Sequence, residues 1–146
     1  MFEQRWLLYA LLSAAAASLV AIFGKIGMKE VDSNLATAVR SIVMTIFLLG
    51  CCTVMGLWSK LSTIHGKAMA MIALSGLAGA VSWLFYFKAV QVGEVSKVAP
   101  VDKLSMPLAV ILAVLIFREK PGAWNWVGVG LIAVGGYLAA LPGKAH

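Results

Sequence analysis

The chain has 146 residues, of which 62% are hydrophobic and 12% charged, against roughly 25% charged in soluble globular domains. An ordinary water-soluble protein is thereby excluded. Twelve Lys and Arg against six Asp and Glu give a formal charge of +6, but so few charges in so apolar a chain do not make the clustered basic face that nucleic acid requires, and no nucleic-acid partner is expected.

A hydrocarbon core about 30 Å thick, at 1.5 Å rise per residue, needs about 20 apolar residues per helix. Five runs of that length lie between charges, at approximately 6–27, 34–58, 68–91, 95–117 and 123–141. The expected fold class is all-α and integral to the membrane, with five transmembrane helices in one domain covering 1–146. The connecting segments are too short to hold a soluble domain.

The first run follows Arg5 and contains Ala14 to Ala17, features shared with cleavable signal peptides. Its apolar stretch is longer than a typical signal core and continues past those alanines, so it is expected to remain as a span. Lys25, near its end, shares a helical face with Ala14, Ser18 and Ala21. Small residues permit close helix contact, which predicts that Lys25 points into protein.

Before the second run, Asp32-Ser33-Asn34 forms a cluster whose side-chain oxygens can accept the unpaired first-turn amides of a helix. Arg40 lies about six residues into that span and shares its face with Ser33, Thr37 and Met44. Cys51 and Cys52 are adjacent, which suits neither a disulfide framework nor a metal site. His65, in the following loop, has no second ligand at metal-binding spacing. No metal and no cofactor are expected.

In the third run, Ser75, Gly79, Ser82 and Tyr86 make a stripe with Trp83 at its margin. Lys88 falls on the opposite side and reads as an interface lysine that reaches for headgroups. The fourth run carries Pro100 and Pro107. Each removes an amide donor and frees the carbonyl four residues earlier, Ser96 and Lys103. Such breaks either shape packing or belong to a polar cavity of the kind from which transporter sites are built.

Charged groups within a span cost about 3 kcal/mol or more each, so their depth is informative. Arg40 is about six residues into its span, Asp102 and Lys103 about seven into theirs, and Lys25 is near the end of the first. All enter from the same side, at a common depth of roughly 10 Å. One shared polar vestibule is expected. Asp102 is the only carboxylate well inside a span. It is either a candidate proton carrier or the partner of Arg40 in a permanent ion pair. Lys25, Arg40 and Lys103 leave a cationic surplus that suits a substrate carboxylate or phosphate, unless Glu94 and Asp32 compensate it.

The fifth run reads Gly128-Val129-Gly130-Leu131-Ile132-Ala133-Val134-Gly135-Gly136. Gly128 and Gly135, a heptad apart and adjoined by Gly136, allow backbone-to-backbone approach of a second helix. Self-association through this face and internal packing against the fourth span are both open. An odd number of spans puts Met1 and His146 on opposite sides. Arg5, Lys60, Lys67, Arg118 and Lys120 then face Lys25, Lys29, Lys88, Lys97 and Lys144. The tie leaves orientation without a strong positive-inside bias.

Two stretches carry a family resemblance. One runs Ser82-Trp83-Leu84-Phe85-Tyr86-Phe87-Lys88-Ala89-Val90 and continues through Gly93-Glu94-Val95-Ser96-Lys97-Val98-Ala99-Pro100; the other is Leu108 to Arg118 followed by Glu119-Lys120. With the closing Gly-rich helix they resemble the EamA-type domain of the drug/metabolite transporter superfamily, over nearly the whole chain. Full-length members are similar to two five-helix halves of opposite orientation, and they export amino acids, other metabolites or drugs. The resemblance implies that this chain is one half of an inverted-repeat ten-helix architecture, completed by an antiparallel homodimer. The Gly pattern also resembles the dimerising helix of small multidrug resistance proteins, but the first span lacks their essential Glu between Trp6 and Gly24. The Asp102-Lys103 pair replaces apolar or hydroxyl residues usual at that point, so no substrate can be carried over.

The reading that follows is a secondary transporter in the cell (inner) membrane, a multi-pass homodimer that exports a small, anionic metabolite by alternating access, coupled to protons through Asp102. Lys25, Arg40, Asp102 and Lys103 would form the charged part of the site, with Ser82, Trp83 and Tyr86 lining it. Gly128, Gly135 and Gly136 would form the dimer interface. The alternative is a non-transporting membrane subunit whose charges are interhelical locks and whose Gly face binds a partner. No nucleophilic triad, phosphate-binding Gly loop or zincin helix is present, so an enzyme is not expected.

Overall fold

The computed structural model describes residues 5–141. They form six α-helices and a 3-10 helix, with no strand among the described residues: α1 (Arg5–Gly27), α2 (Ser33–Val54), the 3-10 helix (Leu57–Thr63), α3 (Gly66–Val92), α4 (Val95–Asp102), α5 (Ser105–Phe117) and α6 (Ala123–Ala140). Five segments are long and apolar enough to cross a membrane: α1, α2, α3, the combined stretch Val95–Phe117, and α6. Most large apolar side chains of these helices are exposed. Lipid is their solvent, so their exposure costs nothing of what it would cost in water.

The chain divides into two compact units, Phe23–Gln91 and Met1–Ile22 together with Val92–His146. In the first unit, α2 starts where Asp32 takes its cap position: Asp32 Oδ1 accepts from the amides of Asn34 at 2.8 Å and Leu35 at 3.2 Å. The Ser33 hydroxyl and the Asn34 amide oxygen of that cluster are also capping acceptors, and the Asp32 carboxylate wins because it also meets the positive end of the helix dipole. Along α2 the hydroxyls of Thr37, Ser41, Thr45 and Thr53 each donate to the carbonyl four residues back, at 2.7 to 2.9 Å. Polar side chains are thereby satisfied within their own helix in an apolar medium.

The helix ends at Val54, short of the Trp58 expected from hydropathy, because the chain turns into the 3-10 helix and the Trp58 indole N–H folds back onto the Thr53 hydroxyl at 3.0 Å. The core of this unit is small. Met28, Phe87 and Val90 are its buried apolar side chains, joined by Ser33 and Thr37. Gly24 is where α1 meets α3: a Cβ added there would collide with the Phe87 ring. Only a glycine lets the ring lie against the α1 backbone.

In the second unit, the fourth span is not one helix. Pro107 has no amide, so the Lys103 carbonyl accepts instead from Met106 N–H, three residues on, at 3.0 Å. Leu104 N–H likewise reaches back to Val101 O at 3.0 Å. These tightened bonds separate α4 from α5 at Lys103-Leu104. Pro107 itself is buried, and α6 packs on both α4 and α5. Gly136 is buried at that contact; a Cβ there would stand 3.0 Å from Pro100 O and 3.1 Å from Leu104 Cδ2.

Candidate functional site

Arg40 and Lys25, both in the first unit, are held by α3. Arg40, on the half-buried face of α2, places its guanidinium carbon 4.1 Å from the centroid of the Trp83 ring and 4.3 Å from that of Phe87. Trp83 and Phe87 are four residues apart on α3, hence on one face. An arginine inside a span costs about 3 kcal/mol, and each desolvated cation-aromatic contact returns about 2 kcal/mol, so two rings are enough to hold the cation there. They satisfy its charge and leave its donors idle: Nε and Nη2 are buried with no hydrogen-bond partner.

Lys25 has a different environment. Its ammonium donates to the carbonyl oxygens of Val90 at 2.6 Å and Gln91 at 3.4 Å, the last carbonyls of α3. These are the acceptors a helix leaves unused, at the negative end of its dipole. Gln91 returns the link: its side-chain amide donates to Val31 O at 2.9 Å and Met28 O at 3.5 Å, tying the α1–α2 connection to the end of α3. Tyr86 makes an edge contact with Phe87, with ring centroids 5.2 Å apart. Ser82 is exposed on α3, and so is Lys88.

Asp102 and Lys103 belong to the second unit, at the break between α4 and α5. Lys103 Nζ lies 3.3 Å from Asp102 Oδ2, with the carboxylate side chain about one-third exposed. The acids considered as compensators are occupied close to home. Glu94 pairs with Lys97 at 2.9 Å, and Asp32 Oδ1 accepts amides of the first turn of α2. Of the three glycines, Gly136 is engaged inside the unit, whereas a Cβ at Gly128 or Gly135 would meet nothing within 4 Å.

Lys25, Arg40, Trp83 and Tyr86 therefore fall in one unit and Asp102 and Lys103 in the other. Sequence reasoning missed three participants. Phe87 hid in an apolar run, although its spacing of four from Trp83 was visible. Ser33 falls on the Arg40 face and in the capping cluster, but not among the site residues. Gln91 reads as a span terminus, and nothing in its neighbourhood announces a link across some 60 residues.

Residues 4–141 match the model of the EamA-like transporter family. A curated protein of a Sinorhizobium species, described as an uncharacterized transporter in the cobO 3′ region, is 43% identical to this chain over 139 residues, covering 95% of this chain and 99% of that protein. No solved structure matches significantly.

Proposed function

The chain belongs to the EamA-like transporter family, a multi-pass membrane transporter, and on that footing we propose that it is a secondary exporter of a small metabolite working as a homodimer by alternating access. Two copies supply ten spans, the number that the inverted-repeat architecture needs. Gly128 and Gly135, with open space beside their backbones, are the contact surface for the second copy. The near-balanced loop charges suit insertion in both orientations.

The observation that carries this reading is the interruption of the fourth span. Discontinuous helices in a membrane expose backbone carbonyls and helix ends where a solute or ion can bind, and they are tolerated where they line a polar space. Here the interruption coincides with the one carboxylate well inside a span. Asp102 is the coupling group: a proton taken up on one side neutralises it and releases Lys103, and loss of that proton to the other side restores the pair. Within the first unit, Arg40, Ser82, Trp83 and Tyr86 are the residues offered to the solute.

The test is flux in proteoliposomes under an imposed pH gradient. Asp102→Asn keeps the shape of the side chain and removes the proton site, so it abolishes pH-driven flux while the dimer persists in cross-linking. Undiminished flux in this variant removes Asp102 from the coupling step. Export predicts accumulation in inside-out vesicles and not in right-side-out ones.

A further inference from the structure

The chain between α5 and α6 turns at Arg118, whose φ of 55° is the one positive value outside glycine among the described residues. A left-handed residue stops a helix and redirects the chain, so Glu119 and Lys120 are carried past the end of the span. Trp124 and Trp126, which follow at the start of α6, are 85% and 43% exposed. Indole rings favour headgroup depth in a bilayer, and they set the loop at that level.

A groove of about 410 Å³ opens between this loop, α5 and α6. Its two ends differ in chemistry. Glu119, Lys120 and Asn125 line the loop end, and Val110, Gly128 and Ile132 line the part beyond it. Asn125 and Ile132 are seven residues apart on one face of α6, so the groove runs about 10 Å along the span, from headgroup depth into hydrocarbon. A Cβ at Gly128 would meet nothing within 4 Å, which leaves the floor clear. Both charged residues are exposed, and among the described residues no hydrogen bond or ion pair engages either side chain.

An occupant that matches this groove is amphiphilic, with an anion and a cation at its polar end. We propose that the groove is a binding site for a phospholipid with a primary-ammonium headgroup, phosphatidylethanolamine in chemistry. Lys120 meets the phosphate, Glu119 accepts from the ammonium, and an acyl chain lies over Gly128 between Val110 and Ile132. A primary ammonium has N–H donors for a carboxylate, whereas the quaternary ammonium of phosphatidylcholine has none. Phosphatidylglycerol brings no cation at all, and its phosphate is repelled by Glu119. The groove occupies the loop end of the α6 face that carries Gly128 and Gly135, so the lipid seals that end of the contact proposed for a second copy. The site stands whatever solute is transported.

The full chain in dodecyl maltoside, titrated with dioctanoyl phosphatidylethanolamine, phosphatidylcholine or phosphatidylglycerol, tests it by the shift in unfolding temperature, since a ligand that binds the folded state stabilises it. Phosphatidylethanolamine raises that temperature with a midpoint concentration about threefold or more below those of the other two, the scale of one exposed ion pair. Glu119→Gln erases the difference between phosphatidylethanolamine and phosphatidylcholine. Lys120→Gln raises the midpoints of all three lipids. Val110→Phe fills the groove from α5 and Gly128→Leu from α6, and both remove the lipid response. Soluble phosphoethanolamine, which has no acyl chain, gives no shift.

A lipid order unchanged by Glu119→Gln, a full response in both groove-filling variants, or no response to any lipid overturns the assignment. A shift with phosphoethanolamine equal to that with the lipid also overturns it and marks a soluble headgroup ligand. Cross-linking between copies through Ile132→Cys, in a chain with Cys51 and Cys52 replaced by serine, that is undiminished by the lipid puts a second copy in the groove instead.

Discussion

Lys25 Nζ donates to the carbonyl oxygen of Val90 at 2.6 Å, joining α1 to the end of α3 across 65 residues of sequence. Val90 is 0% exposed, so water cannot take over its carbonyl when the lysine is removed. A lost hydrogen bond to a charged donor, with the acceptor left buried, costs about 2 kcal/mol. Lys25→Met preserves the length and packing of the side chain and is expected to lower thermal stability in detergent by that amount, while Lys25→Arg retains part of it. If Lys25→Met melts like the parent but loses solute binding, the residue belongs to the solute pathway and not to the α1–α3 junction.

Gly24 and Phe87 are expected to behave as a coupled pair. Gly24→Ala forces a methyl into the ring, and overpacking of this kind costs about 1–3 kcal/mol. Phe87→Leu opens space at the same point but also removes one of the two rings over Arg40. In a double-mutant cycle read by thermal unfolding, the double variant should be more stable than the sum of the single losses predicts. Simple additivity would show that the ring does not rest on α1.

The glycines of α6 separate into two classes. A methyl at Gly136 would stand 3.0 Å from a backbone oxygen of Pro100, which cannot move aside as a side-chain tip can. Gly136→Ala is therefore expected to destabilise the fold by about 2 kcal/mol. Gly135→Ala meets nothing within the chain; it should leave unfolding unchanged and reduce cross-linking between copies if that face joins them. Equal unfolding temperatures for the two variants would contradict the packing of α6 on α4.

How far the sequence reached can be judged from particular residues. The five spans were legible because hydropathy against membrane thickness is a property of consecutive residues, and the solvent selects them without reference to the rest of the fold. Asp32 as a cap was legible for the same reason, since its amide partners are two and three residues away. The interruption of the fourth span was half legible. Pro100 and Pro107 announced it, while its place at Lys103-Leu104 depended on which nearby amide the Lys103 carbonyl found.

The partners of the intramembrane charges were not legible. Helical periodicity placed Arg40 and Lys25 on polar or small-residue faces, but a face does not say what lies opposite it. That Arg40 meets Trp83 and Phe87, that Lys25 caps the end of α3, and that Gly136 is occupied by Pro100 and Leu104 were decided by packing between helices distant in the chain. Such contacts depend on distances of a few ångströms between groups that no local pattern brings together. Membrane insertion is fixed segment by segment along the chain, and the chemistry available to each charge only when the segments close on one another.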